Sequence, residues 1–364
     1  MALFDHEYPP SEWTVDGLAA AFDSGGPPST LPPRTDRDAW ERIRNEDPTR
    51  ATAERIVEFA EEASEAPIPV DRASHWVNYQ DSDAARSAFV DQNRTHQLRL
   101  EMLAAAECLE ADGRFLDDVL DYAWSLCEQT SWTNPTHLVD GHEEEHLGGL
   151  PRVDAAPEHR TIDLRSRMGL VLGQVDHLLG EALNPGLRER IREEVELKVI
   201  GPYEARDDYW WMTSPTAQSW NAACHRHCLG TALYFEDDPE RLARLTKNAV
   251  DNLPLFLNAF GPDGGSVEGP DYWCSGFKQF TQLASMIKSR TGGEYSLFEV
   301  PVVADIARYL LHIELSPGYY PAISDSDPVP TFRPGVLCKL GVELDDPELI
   351  GLGQWVLREE KNEL

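Results

Sequence analysis

The sequence predicts an all-α protein built from antiparallel helical hairpins, and three observations carry that expectation. Apolar residues recur with a 3.6-residue period along most of the chain, whereas the strict alternation of a half-buried strand is nearly absent. Helix start signals precede several periodic segments: Thr213 or Ser214 stands before Pro215, and Asp238 before Pro239. The connections also alternate in length, long at 131–160, 200–213, 259–270 and 315–334 and short at 182–185, 235–238 and 291–297. Sequential helices in a compact all-α fold run antiparallel, so alternate connections fall at one end and the long loops gather there.

In chain order, residues 1–35 are rich in Pro and Gly (GGPPSTLPPR) and read as an irregular arm. Residues 36–335 form the helical domain. Its helices are expected over about 51–64, 96–111, 114–130, 161–181, 186–199, 214–234, 239–258, 271–290 and 298–314. Residues 336–364 form a helical tail, with a helix near 346–359.

Composition sets further bounds. In 364 residues, 32 Lys and Arg face 64 Asp and Glu, for a formal charge of −32. That excludes nucleic-acid binding, which needs clustered positive charge. An apolar fraction of 41% excludes a disordered chain despite the charge. Only 6 of the 32 basic residues are Lys. Acid excess with Lys depletion predicts adaptation to high salt, since at molar ionic strength the Debye length falls to about 3 Å and surface acids repel weakly. The plain alternative is an ordinary acidic protein. The start, MALFDHEYPP, has neither the basic nor the apolar region of a Sec signal, and no run of 18 apolar residues offers a membrane span. Six scattered cysteines (108, 127, 224, 228, 274 and 338) favour reduced thiols and a cytoplasmic protein. No metal and no other cofactor is expected.

Two motifs resemble metal sites and are read otherwise. His142-Glu143-Glu144-Glu145-His146 matches H-E-x-x-H, but it sits between Asp140-Gly141 and Gly148-Gly149 without the apolar periodicity of the buried helix that zinc proteolysis requires. A solvated acidic loop is expected. Cys224 and Cys228 share a helix face, yet no second Cys/His pair has matching spacing, so buried core thiols are expected.

The chemically rich residues fall on or beside the long loops: Trp132, His137, Trp210, Trp211, Trp220, Tyr272, Trp273, Tyr319 and Tyr320. Aromatic faces beside polar groups suit sugar rings; the alternative for each Trp alone is packing beneath a loop. Asn221 and His225, an i, i+4 pair, share a helix face near a helix start. Tyr272, 51 residues after Asn221, opens the next helix but one, which places an amide, an imidazole and a phenol at one end. The run from Phe260 to Trp273 (FGPDGGSVEGPDYW) holds small and rigid residues that force a defined loop, delivering Glu268 and Tyr272 beside a helix start.

GPDGG-x-x-EGP-x-YW followed by an aromatic helix resembles the toroid domain of heparinase II/III-type polysaccharide lyases. Cys127-Glu128 through Thr130-Ser131-Trp132-Thr133-Asn134-Pro135-Thr136-His137 resembles that family's helix exit. Ile162-Asp163-Leu164, then Ile191-Arg192-Glu193-Glu194 to Pro202-Tyr203, is similar to its next hairpin, and Ser219-Trp220-Asn221-Ala222-Ala223-Cys224 to the helix that neutralises substrate charge. The matches run in order over about residues 96–335. The resemblance implies an incomplete (α/α) toroid and β-elimination on an acidic polysaccharide or oligosaccharide. Asn221 would help neutralise the uronate carboxylate and Tyr272 would transfer the proton; His225 is carried with Asn221 on their shared face. Trp132, His137, Trp211, Trp220, Glu268 and Trp273 would line the cleft, with Trp132 and Trp211 along its walls. A uronate C5 proton becomes removable only when fixed donors neutralise the carboxylate, and a phenol, with an ordinary pKa of about 10, needs electrostatic help to act as a base.

The chain departs from that family where a large β-sandwich with a further catalytic His is expected; only about fifty residues follow the last clear helix. The options are a toroid-only member, a β-sandwich supplied by a separate chain, or an inactive member. Two rivals stand beside the lyase. One is a hydrolase of unsaturated uronyl sugars on a single-domain helical barrel, using Asp263, Glu268 or Asp271 as general acid/base. The other is a non-catalytic sugar-binding or assembly subunit. A lyase creates a conjugated double bond and the hydrolase consumes one.

Overall fold

The computed structural model describes residues 4–28, 31–47, 49–139, 143–324 and 326–359. Of these residues 67% are helical and 2% lie in strand, so the all-α expectation holds. The longer helices are α1 Val15–Ser24, α2 Arg37–Asn45, α3 Arg50–Glu65, α4 Asp83–Glu110, α5 Leu116–Cys127, α6 Arg167–Leu179 and α7 Pro185–Val195, then α8 Ser219–Phe235, α9 Pro239–Asn252, α10 Pro270–Arg290, α11 Pro301–Ile313, α12 Pro334–Glu343 and α13 Pro347–Glu359. The only strand pair among the described residues is a two-residue ladder, β1 His146–Leu147 against β2 Leu150–Pro151. No helix of the described residues is long and apolar enough to cross a membrane.

The chain divides into two compact units, 31–207 and 1–30 with 208–364. In the 31–207 unit, α3, α5 and α6 pack on α4, whose Leu100, Leu103, Ala104 and Ala106 are fully buried. The C-terminal end of α4 is tied by cations, as helix-end carbonyls favour. Arg34 donates to Glu107 and to the Ala111 carbonyl, and Arg37 to the Cys108 and Leu109 carbonyls.

In the other unit α8 is the central helix, buried on every side from Asn221 to Leu233. It runs beside α10, while α1 packs on α9 and α12 on α13. Close approach of α8 and α10 depends on Gly276: a Cβ there would lie 2.9 Å from Ser219 Cβ and 3.1 Å from Phe256.

Several expectations are corrected. The arm expected to be irregular contains α1, where Leu18, Ala21 and Phe22 form a buried stripe at i, i+3 and i+4, and Thr14 caps it by accepting from the Gly17 N–H. Helix α2 was not anticipated, α4 begins thirteen residues before the expected 96, and the helical tail expected over 336–364 holds two helices, α12 besides the one expected near 346–359.

Within the unit that holds α8, two of the four long connections, 259–270 and 315–334, meet near the start of α8; the connection 131–160 belongs to the other unit. The Ser219 hydroxyl meets Glu268, the Asp271 N–H donates to Ser326 Oγ at 3.1 Å, and the Asp327 N–H to Asp271 at 2.7 Å. These contacts join the segments before α8, before α10 and after α11. The short connections lie at the opposite end of α10, where the charge of Asp237 acts on Arg290.

Candidate functional site

The Gly-rich loop is shaped by backbone that only glycine adopts easily. Gly264 and Gly269 have φ of +76° and +83°, and a Cβ on Gly264 would stand 2.1 Å from the Asp305 carbonyl oxygen. The loop carries Glu268 to the start of α8. There the Ser219 hydroxyl donates to the carboxylate at 3.4 Å. The Gln218 amide, turned to donate, lies 3.0 and 3.1 Å from its two oxygens. Gln218 precedes α8 with φ 43°, ψ −117°, a strained conformation for a non-glycine residue, and makes no capping bond of its own. Glu268 therefore ties the Gly-rich loop to the first residue of α8 and the residue before it. Burial pushes its carboxyl above the usual range, against the pull of the Ser219 hydrogen bonds.

Asn221 and His225 share a face, as their spacing requires, but that face turns into the protein. Both are fully buried. Asn252, the last residue of α9, accepts through Oδ1 from Asn221 Nδ2 at 2.6 Å and from His225 Nε2 at 2.8 Å. Asn221 Nδ2 also donates to the Trp211 carbonyl at 3.0 Å, and Asn252 Nδ2 to the Met212 carbonyl at 2.8 Å. The network pins the Trp210–Thr213 turn to α8 and α9. Both amide hydrogens of Asn221 are thereby committed, while its Oδ1 is buried with no hydrogen-bond partner. Burial pushes His225 down to about 4, so it is neutral at ordinary pH and supplies no positive charge. As placed, neither reaches solvent.

The accessible groups are others. Tyr272 is 39% exposed and Trp210 42% exposed; Trp220 is half-buried with its ring centroid 5.1 Å from that of Trp210. Tyr272 lies four residues before Gly276, hence on the α10 face that meets Ser219, and four residues after Glu268, which also meets Ser219. The phenol and the tryptophan pair thus belong to the same end of this unit.

Three expected ligand-facing tryptophans are corrected. Trp132, Trp211 and Trp273 are 1%, 0% and 2% exposed. Their indoles fill the core: Trp132 Nε1 donates to the Leu126 carbonyl, Trp273 Nε1 to the Ile306 carbonyl, and Trp211 packs edge-on to His225. Trp132 and His137 belong to the 31–207 unit. There His137 Nδ1 pairs at 2.7 Å with Asp163, a buried carboxylate that also accepts from the Asn134 and Arg165 N–H groups.

The carboxylates weighed for hydrolysis serve the loops. Asp263 accepts from the Gly265 N–H, Asp271 from the Asp327 N–H, and Glu268 from the Ser219 hydroxyl. Cys224 and Cys228 are fully buried, as core thiols should be. His142 of the H-E-x-x-H motif lies outside the described residues, and Glu143–Glu145 form a single 3-10 turn. No group of three or more His, Cys, Asp or Glu among the described residues is placed to hold a metal. Sequence reasoning missed Gln218 and Asn252. Neither carries a spacing signal, since both act on residues far along the chain.

No protein-family model matches the chain, and no curated protein matches it.

Proposed function

We propose that this chain is a lyase that cleaves a uronate-containing polysaccharide or oligosaccharide by β-elimination, on a toroid of helical hairpins. The observation that supports it best is the setting of Tyr272. An exposed phenol stands where the Gly-rich loop meets the start of α8, at the end that also presents Trp210 and Trp220. Apolar ring faces of this kind accept the C–H faces of a sugar. In the reaction the Tyr272 oxygen takes the C5 proton, the C4–O bond breaks, Tyr272 passes that proton to the leaving oxygen, and a C4–C5 double bond conjugated to the carboxylate remains. Asn221, His225 and Asn252 act as positioning residues, holding the turn that carries Trp210. The test is to incubate the protein with uronate-containing glycans and follow the ultraviolet absorbance of the unsaturated product.

A second reading, non-catalytic glycan binding, is favoured by one observation. Asn221 has both amide hydrogens committed and His225 is buried and neutral, which withholds from a ligand the two groups assigned to the uronate carboxylate. Saturable glycan binding without any double-bond formation supports it.

A further inference from the structure

The 31–207 unit holds a cleft of about 330 Å³ whose walls include Asp71, Trp76, Ser125, Glu128, Gln129 and Leu150. That is the low end of ligand pockets, which span about 300–1,000 Å³. Two of these residues are fixed by Arg165, whose side chain is 3% exposed. Its guanidinium donates to Asp71, to Gln129 Oε1 at 3.2 Å, to Asn93 Oδ1 at 2.8 and 3.2 Å, and to the Ser131 and Thr133 carbonyls at 3.1 and 3.3 Å. It also lies 4.9 Å from the centre of the Trp76 ring and 4.8 Å from that of Phe89.

Every guanidinium nitrogen is therefore used, and the Arg165 charge is spent on Asp71. The second Asp71 oxygen accepts from Gln92 Nε2 at 3.1 Å. At the other wall Glu128 is 54% exposed and stands 3.7 Å from Arg190, whose guanidinium is held at 2.7 Å by Glu194. The cleft thus presents no unpaired positive charge. An entering anion would lose hydration and face the Asp71 and Glu128 carboxylates without meeting an unpaired cation. A hydroxylated neutral molecule exchanges its water hydrogen bonds one for one with Ser125, Gln129 and the carboxylate oxygens, and lays its C–H surface against Leu150 and the strip of Trp76 that is 7% exposed.

We propose that this cleft is a binding site for a neutral saccharide of one or two rings. It goes beyond the uronate-cleaving activity and does not depend on it.

The experiment is isothermal titration calorimetry of the full chain, in salt of about molar strength, with D-glucose, N-acetyl-D-glucosamine and cellobiose, and with D-glucuronate as the charged counterpart. Saturable binding of at least one neutral sugar is expected, with glucuronate weaker by about tenfold or more. Ser125→Trp, which fills the cleft from α5, should weaken that binding by at least about tenfold with an unchanged circular dichroism spectrum. Ala73→Trp fills it from another wall and serves if the first variant fails to fold. The proposal is overturned by the absence of saturable heat with all three neutral sugars, by glucuronate binding as tightly as they do, or by neutral-sugar binding that survives in a folded cleft-filling variant. Neither result bears on whether double bonds form at uronates, so the two claims fail separately.

Discussion

Glu268 and Ser219 meet where the Gly-rich loop reaches the start of α8: the serine hydroxyl donates to a carboxylate oxygen at 3.4 Å, beside the Gln218 amide at 3.0 and 3.1 Å. The pair ties the segment before α10 to the segment before α8, and it is the frame in which Tyr272 stands.

Removing that frame should cost stability. Glu268→Ala removes the acceptor shared by the Ser219 hydroxyl and the Gln218 amide and is expected to lower unfolding stability by about 1–2 kcal/mol. Glu268→Gln keeps an acceptor and should cost less. The carboxyl titrates above its ordinary range in the fold, so its contribution is fully present at low pH and is lost as pH rises through the raised value. Denaturant midpoints measured across pH should show that loss in the parent chain and not in Glu268→Gln. Identical pH profiles for the two proteins would contradict this assignment.

His225 has the opposite sign. Its folded value of about 4 lies below the ordinary histidine value of about 6.5, so the unfolded chain binds the proton first. Stability attributable to His225 is present above about pH 6.5 and is lost as pH falls toward 4, on the order of 3 kcal/mol for a gap of that size. A His225→Gln variant, compared with the parent by chemical denaturation from neutral to acid pH, should lose less stability over that window. Equal acid sensitivity would place the proton elsewhere.

The charge of −32 with few lysines predicts a protein that needs salt. Its melting temperature should fall on dialysis from molar salt to about 0.05 M, as surface acids repel over a longer Debye length. A flat melting temperature over that range would remove the salt-adapted reading.

The sequence made some of this plain and hid the rest for physical reasons. Helices α3 and α10 were legible to within a residue from their apolar periodicity, and the start of α9 from Asp238, which caps it; α8 begins five residues after the expected 214, behind Gln218, which makes no capping bond. The start of α4, residues 83–95, was hidden because only Phe89 and Asn93 of it are buried and Asn93, a polar residue, reads as solvent-facing. Helix α1 was hidden by the Pro and Gly that flank it, and the glycines of α12 left it unmarked as a separate helix of the tail. At the site, the shared face of Asn221 and His225 was legible from a spacing of four, but its direction was not. That direction is set by Asn252, a contact 27 to 31 residues away. The tryptophans show the same limit. Adjacent Trp210 and Trp211 differ only in where the turn points them, and one is 42% exposed while the other is fully buried.

The central claim is that Tyr272 transfers the proton in β-elimination at a uronate. The direct measurement is the initial rate of unsaturated-uronate formation by the parent chain and by Tyr272→Phe, with melting temperatures recorded for both. The parent should generate the conjugated product from at least one uronate-containing glycan. Tyr272→Phe should be slower by about 10²–10⁴-fold, the usual contribution of a positioned acid or base, with an unchanged melting temperature because the side chain is 39% exposed. Full activity in Tyr272→Phe, or no double-bond formation by the folded parent on any such glycan, would contradict the account.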